Sequence, residues 1–376
     1  MDKSQFEQIL ICSHDFHEDD YNGIVDRFIQ IDMVNSLSPS GDGKAVKTIR
    51  GLIGEIKPDL IYCHSSKAGG LGRLANIGLG YPIIYNPHGW AFNMRGSKVK
   101  SFIYLMKKRI LAHLTTKFVL ISNYEKLSAI EHSVGKESQM KVIFNGIDME
   151  NVQKQLNAST ISRESLGIPQ DAYVVGMVGR ISAQKAPDVF VCMARRIADM
   201  MSNAWFMIVG NGDEQEEIKK LISSCGLSDR FTITGWVNNS IAYASLFDQA
   251  VLLSRWEGFG LVLAEYMKLS KPIVATEVNA IPDLIVDYEN GLLVEVDNDE
   301  QAAKAAMEIH DNHELKNKLI YNGHMRVNAL FNVARVASEH ERLFTNLISK
   351  RKGVKCSLLD CKYATVALNK EWRVAA

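Results

Sequence analysis

The chain has 376 residues, 47% of them hydrophobic and 23% charged, with 43 basic and 43 acidic side chains in balance. That length suits two domains, and a formal net charge of zero gives no reason to expect nucleic acid as a partner. Cys12, Cys63, Cys192, Cys225, Cys356 and Cys361 form neither a disulfide framework nor a zinc spacing; no apolar run is long enough to span a bilayer, and "MDKSQFEQ" is no secretory signal, so a reduced, cytoplasmic setting is expected.

Short apolar runs ending in polar or glycine residues predict buried strands along the whole chain. They are QILICSH, LIYCHSS, IIYNPHG, KFVLISN and KVIFNGID, then YVVGMVGR, WFMIVGNG, RFTITGW, QAVLLSRW, PIVATE and GLLVEV. Helical patterns lie between them, as over Lys44–Lys57 and Ala68–Leu79. Continuous apolar strands alternating with helices predict parallel sheets covered on both faces, hence two doubly wound α/β domains. The boundary is placed after NGID: residues 1–150 form an N-terminal domain and 151–330 a C-terminal one. Residues 331–352 read as a helix expected to return to the N-terminal domain, and 353–376 as a tail without a clear period.

In open α/β sheets ligands bind beyond the carboxyl ends of strands, so the residues after each strand carry the functional reading. After YVVGMVG comes RISAQKAPD, with Arg180 and Lys185 five positions apart. A guanidinium and an ammonium converging on one spot suit a diphosphate, although a basic pair in a loop reads first as two solvated cations. After WFMIVG, Gly210-Asn211-Gly212 lacks the third glycine of a dinucleotide fingerprint and reads as a tight strand-to-helix turn. After QAVLLS comes SRWEGFGLVLAEYMKL. Here Gly258 and Gly260 let the backbone approach a ligand, and the helix expected after them points free N–H groups at a phosphate. Glu265 follows Glu257 by eight positions, about two helical turns, on roughly the same face. Such a carboxylate accepts two hydrogen bonds from vicinal hydroxyls, those of a ribose for Glu265 and of a sugar for Glu257. The plainer reading is a partly buried glutamate paired with a lysine.

Together these segments resemble a known family. SRWEGFGLVLAEYMKLSKPIVATEVNAIPDLI, VGRISAQKAPD, IVGNGDEQEEIKKL, FTITGWV and NGID resemble the motifs of glycosyltransferase family 4, retaining enzymes of the GT-B fold with its two Rossmann-like domains. HSSKAGGLGRLA, IIYNPHGWAF and VLISNYEK resemble members that build capsule, O-antigen or exopolysaccharide, and the likeness spans roughly residues 50–350. It implies that Arg180 and Lys185 hold the donor diphosphate and that Glu257 contacts the donor sugar. It also implies that Gly258, Phe259, Gly260 and Leu261 lie along sugar and phosphates, that Glu265 binds the ribose, and that His88 of PHGW faces the reaction centre from the N-terminal domain. A histidine hydrogen-bonded in a strand-end turn is the plainer reading of His88.

The resemblance further implies front-face transfer with retention, the leaving diphosphate helping to deprotonate the acceptor hydroxyl, with no metal and no cofactor beyond the nucleotide-diphosphate sugar. HEDD at His17–Asp20, the nearest acidic knot, reads as a solvated loop. Domain closure is expected to bring His88 toward Glu257 and to expel water. Met94–Lys117 carries Arg95, Lys98, Lys100, Lys107, Lys108, Arg109 and Lys117 and no acid, around the apolar run Phe102–Met106. A basic amphipathic helix of that kind can lie on an anionic membrane surface, which would place a peripheral enzyme at the cytoplasmic leaflet beside an undecaprenyl-diphosphate-linked acceptor; a solvated basic face over a core-facing side is the alternative. One departure stands out. FEQILICSH occupies the place of the family's second strand and no Gly-Gly loop precedes it, so the N-terminal domain is expected to lack its first strand–helix unit. A sugar-nucleotide epimerase on the same scaffold, and an inactive chain that only binds nucleotide, are the competing readings.

Overall fold

A computed structural model describes residues 1–33, 38–93, 98–352 and the backbone of 363–369. The chain forms two compact units, Met1–Phe144 with Val336–Ala375, and Asn145–Arg335. The first unit carries strands β1 (Phe6–Ser13), β2 (Arg27–Ile31), β3 (Leu60–His64), β4 (Ile83–Asn86), β5 (Lys117–Leu120) and β6 (Met140–Val142). The second carries β7 (Tyr173–Val178), β8 (Ala204–Val209), β9 (Phe231–Ile233), β10 (Gln249–Leu252), β11 (Ile273–Thr276) and β12 (Leu292–Val294). A last strand, β13 (Tyr363–Asn369), belongs to the first unit.

Every strand pairing is parallel. The sheets run β2-β1-β13-β3-β4-β5-β6 and β12-β11-β10-β7-β8-β9. Both are therefore doubly wound α/β sheets, as the apolar runs predicted. Burial on two faces explains those runs. In β3, Ile61 and Cys63 join the cluster built with Ile9, Ile49, Ile53 and Leu71, whereas Leu60 and Tyr62 join Phe6, Ile84, Phe344 and Ile348 on the opposite face. The helix Val333–Lys352 supplies Phe344, Leu347 and Ile348 to that second face. The second unit is centred on Met177, Phe190, Phe206, Val251 and Ile309.

The structure departs from the sequence reading at several elements; the helix expected over Ala68–Leu79, for one, runs Ser66–Ala75. Strand β2 escapes the pattern because RFIQI is short and only Ile31 in it is buried. The helix expected over Lys44–Lys57 begins earlier, at Pro39, where Ser38 Oγ accepts from Gly41 N and proline sits in the first turn. The last is the tail. In a segment without clear sequence period, β13 inserts between β1 and β3, with Val366 opposite Ile9 on one side and Ile61 on the other. The sheet is thus continuous from β2 to β6.

Candidate active site

In the second sheet the chain steps outward from β7 through β8 to β9 on one side and from β10 through β11 to β12 on the other. The reversal lies between β7 and β10, and the crevice beyond their carboxyl ends is where a doubly wound sheet takes a ligand. Two loops meet there, residues 179–186 after β7 and 253–260 after β10.

They are joined by an ion pair. Lys185 Nζ donates to Glu257 Oε2, and the two side chains are only 17% and 9% exposed. Ser254 Oγ donates to the same oxygen at 3.3 Å, and the Glu257 amide is fixed at 3.0 Å by Asn279 Oδ1. Arg255 holds the loops together: its guanidinium pairs with Asp188 and Asp297 and donates to the Ala183 carbonyl at 3.0 Å. Gln184 adds a bond to the Trp256 carbonyl at 3.0 Å. Lys185 and Glu257 are thus placed against each other, whereas Arg180 is exposed and has no carboxylate partner among the described residues.

The glycines have distinct reasons. A Cβ on Gly210 would lie 2.1 Å from the Gly179 carbonyl oxygen, and one on Gly212 would lie 2.1 Å from that of Ile181. The turn after β8 therefore packs backbone to backbone against the loop of Arg180 and Lys185, with Ile181 N donating to Asn211 O at 2.9 Å. That is the tight-turn reading, with no dinucleotide fingerprint. Replacing Gly212 by alanine is expected to push the Arg180–Lys185 loop outward and to lower stability by about 1–3 kcal/mol. Thermal unfolding of the variant checks this; an unchanged transition would contradict it. Gly260 has φ +84° and caps the helix Leu261–Lys268, which no side chain caps. A Cβ on Gly258 would meet no atom within 4 Å, so the space above it is open.

Phe259 faces inward. It is buried, its ring edge-on to Phe331 at 5.8 Å, so its side chain anchors the loop. Leu261 is exposed at the helix start. Glu257 lies in the loop rather than on this helix, and Glu265 is in the helix's second turn, so the shared-face spacing is not helical. Glu265 has no hydrogen-bond or ion-pair partner among the described residues, and burial alone raises its carboxyl from 4.5 to about 7. The lysine-paired alternative for this residue is not what the structure holds.

His88 sits in the first unit, in the turn after β4, with φ 51°. Its amide donates to Asn86 Oδ1 at 3.1 Å and its Nε2 lies 2.8 Å from His64 Nδ1. It is therefore a hydrogen-bonded strand-end histidine, and burial followed by His340 lowers it to about 4, so the ring is neutral near pH 7. The acidic knot forms a 3-10 turn over Glu18–Tyr21, and no group of three His, Cys, Asp or Glu able to hold a metal occurs among the described residues.

Known proteins settle the family. A description of glycosyl transferases group 1 matches residues 158–326, and one of Glycosyltransferase Family 4 matches residues 1–151. An uncharacterised 41.2 kDa protein from the cps region of Klebsiella pneumoniae is 31% identical over 274 residues, 69% of this chain and 70% of that one. The chain belongs to glycosyltransferase family 4. A UDP-Gal:alpha-D-GlcNAc-diphosphoundecaprenol alpha-1,3-galactosyltransferase of Escherichia coli is 26% identical over 349 residues, covering 92% of this chain and 90% of that protein. The crystal structure of Anabaena Alr3699/HepE in complex with UDP superposes with a TM-score of 0.76 at 19% identity, over 91% of this chain and all of that one. The fold of this family 4 glycosyltransferase is GT-B, with two Rossmann-like domains.

Sequence reasoning missed Arg255, Asn279, His64, Tyr62, Asn86 and His340. Arg255 and its acidic partners lie 67 and 42 positions apart, a separation that leaves no local signal. His64 had one: it ends a predicted strand, where functional groups concentrate.

Proposed function

We propose that this glycosyltransferase moves a glycosyl residue, with retention, from a nucleoside-diphosphate sugar to a lipid-linked glycan during assembly of a bacterial surface polysaccharide. The observation that carries the reading is the crevice at the β7–β10 reversal. There a Lys185–Glu257 pair, an exposed Arg180, a helix start with no side-chain cap and a carboxylate, Glu265, with no partner among the described residues flank one open glycine loop in the chain. Arg180, Lys185 and the N–H groups after Gly260 suit a diphosphate, Glu265 suits a ribose diol and Glu257 a sugar hydroxyl. The naming of UDP with Anabaena HepE, and of UDP-Gal and a diphosphoundecaprenol acceptor for the E. coli relative, supports this donor and acceptor class.

In the reaction the C1–O bond to the diphosphate breaks with its electron pair going to the diphosphate. The acceptor oxygen bonds to C1 on the same face, and its proton passes to a diphosphate oxygen. The cations stabilise the charge that develops on the leaving group, and His88, neutral, meets the transferred sugar as a hydrogen-bonding group. Calorimetry against UDP-, GDP-, ADP- and dTDP-sugars, then NMR of the product anomer, tests the reading. Conversion of donor without acceptor would identify an epimerase, and an inverted product would refute retention.

Glu265 gives a pH test. An unliganded carboxyl at about 7 must be ionised to accept from the ribose diol, so binding releases a proton. Affinity for a UDP-sugar, whose diphosphate diester does not titrate here, is expected to fall by up to about tenfold per pH unit below 7 and to level off above it. Glu265→Gln flattens that dependence. For stability the sign is opposite: the raised folded value favours the folded state below 4.5, and this contribution is lost as pH rises through about 7, so the Gln variant gains on the parent above pH 7. Equal pH slopes for both proteins would remove the ribose role.

The membrane role rests on the helix Lys98–Ala112; residues 94–97 of the basic segment lie outside the described residues. Val99, Phe102 and Ile110 are 62–68% exposed on it beside Lys98, Lys100 and Lys107. Such a face docks on an anionic surface through apolar insertion and charge. No helix among the described residues is long and apolar enough to cross a membrane. The protein is expected to float with phosphatidylglycerol vesicles and not with neutral ones, and Phe102→Glu with Ile110→Glu should abolish flotation; absence of binding by the parent would contradict the role.

A further inference from the structure

His88 is held by more than its own turn. Its ring nitrogen Nε2 lies 2.8 Å from His64 Nδ1, with the two rings nearly parallel at 16°. His64 itself lies against Tyr62, ring centroids 4.1 Å apart and tilted by 45°. Burial holds His64 well below the usual imidazole range and lowers His88 to about 4, so the two neutral rings share one N–H between facing nitrogens.

A second chain of bonds fixes the His88 backbone, and its direction can be worked out. His340 Nδ1 lies 2.8 Å from the Val336 carbonyl, which can only accept. Nδ1 therefore carries a hydrogen, and the uncharged form of the ring has its lone pair at Nε2. Tyr62 OH, 3.0 Å away, can donate to that form. The tyrosine oxygen is then free to accept from Asn86 Nδ2 at 3.1 Å. Asn86 Oδ1 in turn accepts the His88 amide at 3.1 Å. Asn86 and Tyr62 are buried, and a left-handed φ of 51° at His88 is an unfavourable backbone conformation that such bonds help to hold. His64 and Asn86 end β3 and β4, beside the central strand where the first sheet reverses direction.

We propose, on the reading that His88 meets the transferred sugar, that His64 and the Tyr62–His340 pair are positioning residues for it. His64 sets the tautomer and plane of the ring, and the relay from the helix Val333–Lys352 sets the backbone that presents it. The C-terminal helix, whose residues 336–352 pack on the first unit, thereby takes part in alignment at a distance of 278 positions in sequence from Tyr62.

The test compares His64→Ala, His64→Asn, Tyr62→Phe, His88→Ala and the His64→Ala/His88→Ala double variant in the full chain. The substrate is whichever UDP-, GDP-, ADP- or dTDP-sugar binds most tightly, read as nucleotide release per folded molecule. His64→Ala is expected to lower kcat about 10–100-fold with donor KM changed less than about twofold, a misalignment signature. His64→Asn, whose amide nitrogen reaches the place of Nδ1, restores most of it, Tyr62→Phe loses part, and the double variant is no slower than His88→Ala. In 15N-histidine spectra the parent shows one His88 tautomer and His64→Ala shows averaged ring nitrogens. Unchanged kcat and a single tautomer in His64→Ala and Tyr62→Phe, with His88→Ala impaired, would overturn the proposal alone. Full activity in His88→Ala would instead overturn the role of His88. Should His64→Ala not fold, His64→Asn and Tyr62→Phe decide: wild-type kcat in Tyr62→Phe with only a lowered Tm means a structural role.

Discussion

Lys185→Ala is expected to lower kcat about 10²–10³-fold, the usual effect of removing one group that stabilises charge on a leaving group. It also leaves Glu257, 9% exposed, without its cation. Removing one partner of a fully buried pair destabilises by about 3–5 kcal/mol, and the residual exposure of this one brings the figure to about 1–3 kcal/mol. The two effects separate in a double variant. Glu257→Gln beside Lys185→Ala removes the stranded charge and restores the thermal transition, while activity stays low because neither the cation proposed for the diphosphate nor the carboxylate proposed for the sugar returns. Initial rates and thermal unfolding of the parent, the single and the double variants check this. A rate within about threefold of the parent for Lys185→Ala would remove it from the diphosphate.

Val366→Pro is expected to unfold the first unit. β13 has partners on both sides, and proline in a central strand deletes a ladder donor and forces the ring against its neighbour, at a cost of about 3 kcal/mol or more. Loss of β13 would leave β1 and β3 each with an open edge in the middle of the sheet. Hydrogen exchange should show amides of β1 and β3 losing protection while those of β7, β8 and β10 keep theirs. Full protection of β1 and β3 in the variant would mean that the sheet does not depend on β13.

Most strands were readable because parallel strands are buried on both faces, so continuous apolar runs such as LIYCH and AWFMIV mark them without help from context. The loops were readable because each motif is contiguous: RISAQK and WEGFG follow directly on β7 and β10. Strand β2 was not, since a five-residue strand with one buried side chain has no period to detect. Nor was β13, because its place depends on the vacancy between β1 and β3 rather than on its own pattern. Phe259 shows the same limit within a motif. Gly258 before it faces open space, yet the phenylalanine ring is turned inward onto Phe331, a partner 72 positions away that no local pattern announces.

The sequence by itself determined the fold class, the two domains' worth of strand–helix units, the family, and the residue types at each strand end, because these follow from local periodicity and short-range turn chemistry. Only the tertiary structure decided which strand ends adjoin. Sheet order puts β7 beside β10 and so brings Lys185 onto Glu257 across 72 positions, and Glu265 is left half-buried with no partner among the described residues. It puts β3 beside β4 and a C-terminal helix over both, joining His88 to His64 and, through Asn86 and Tyr62, to His340. Those pairings are set by strand order and by what fills the space between layers, and neither is written in the spacing of residues along the chain.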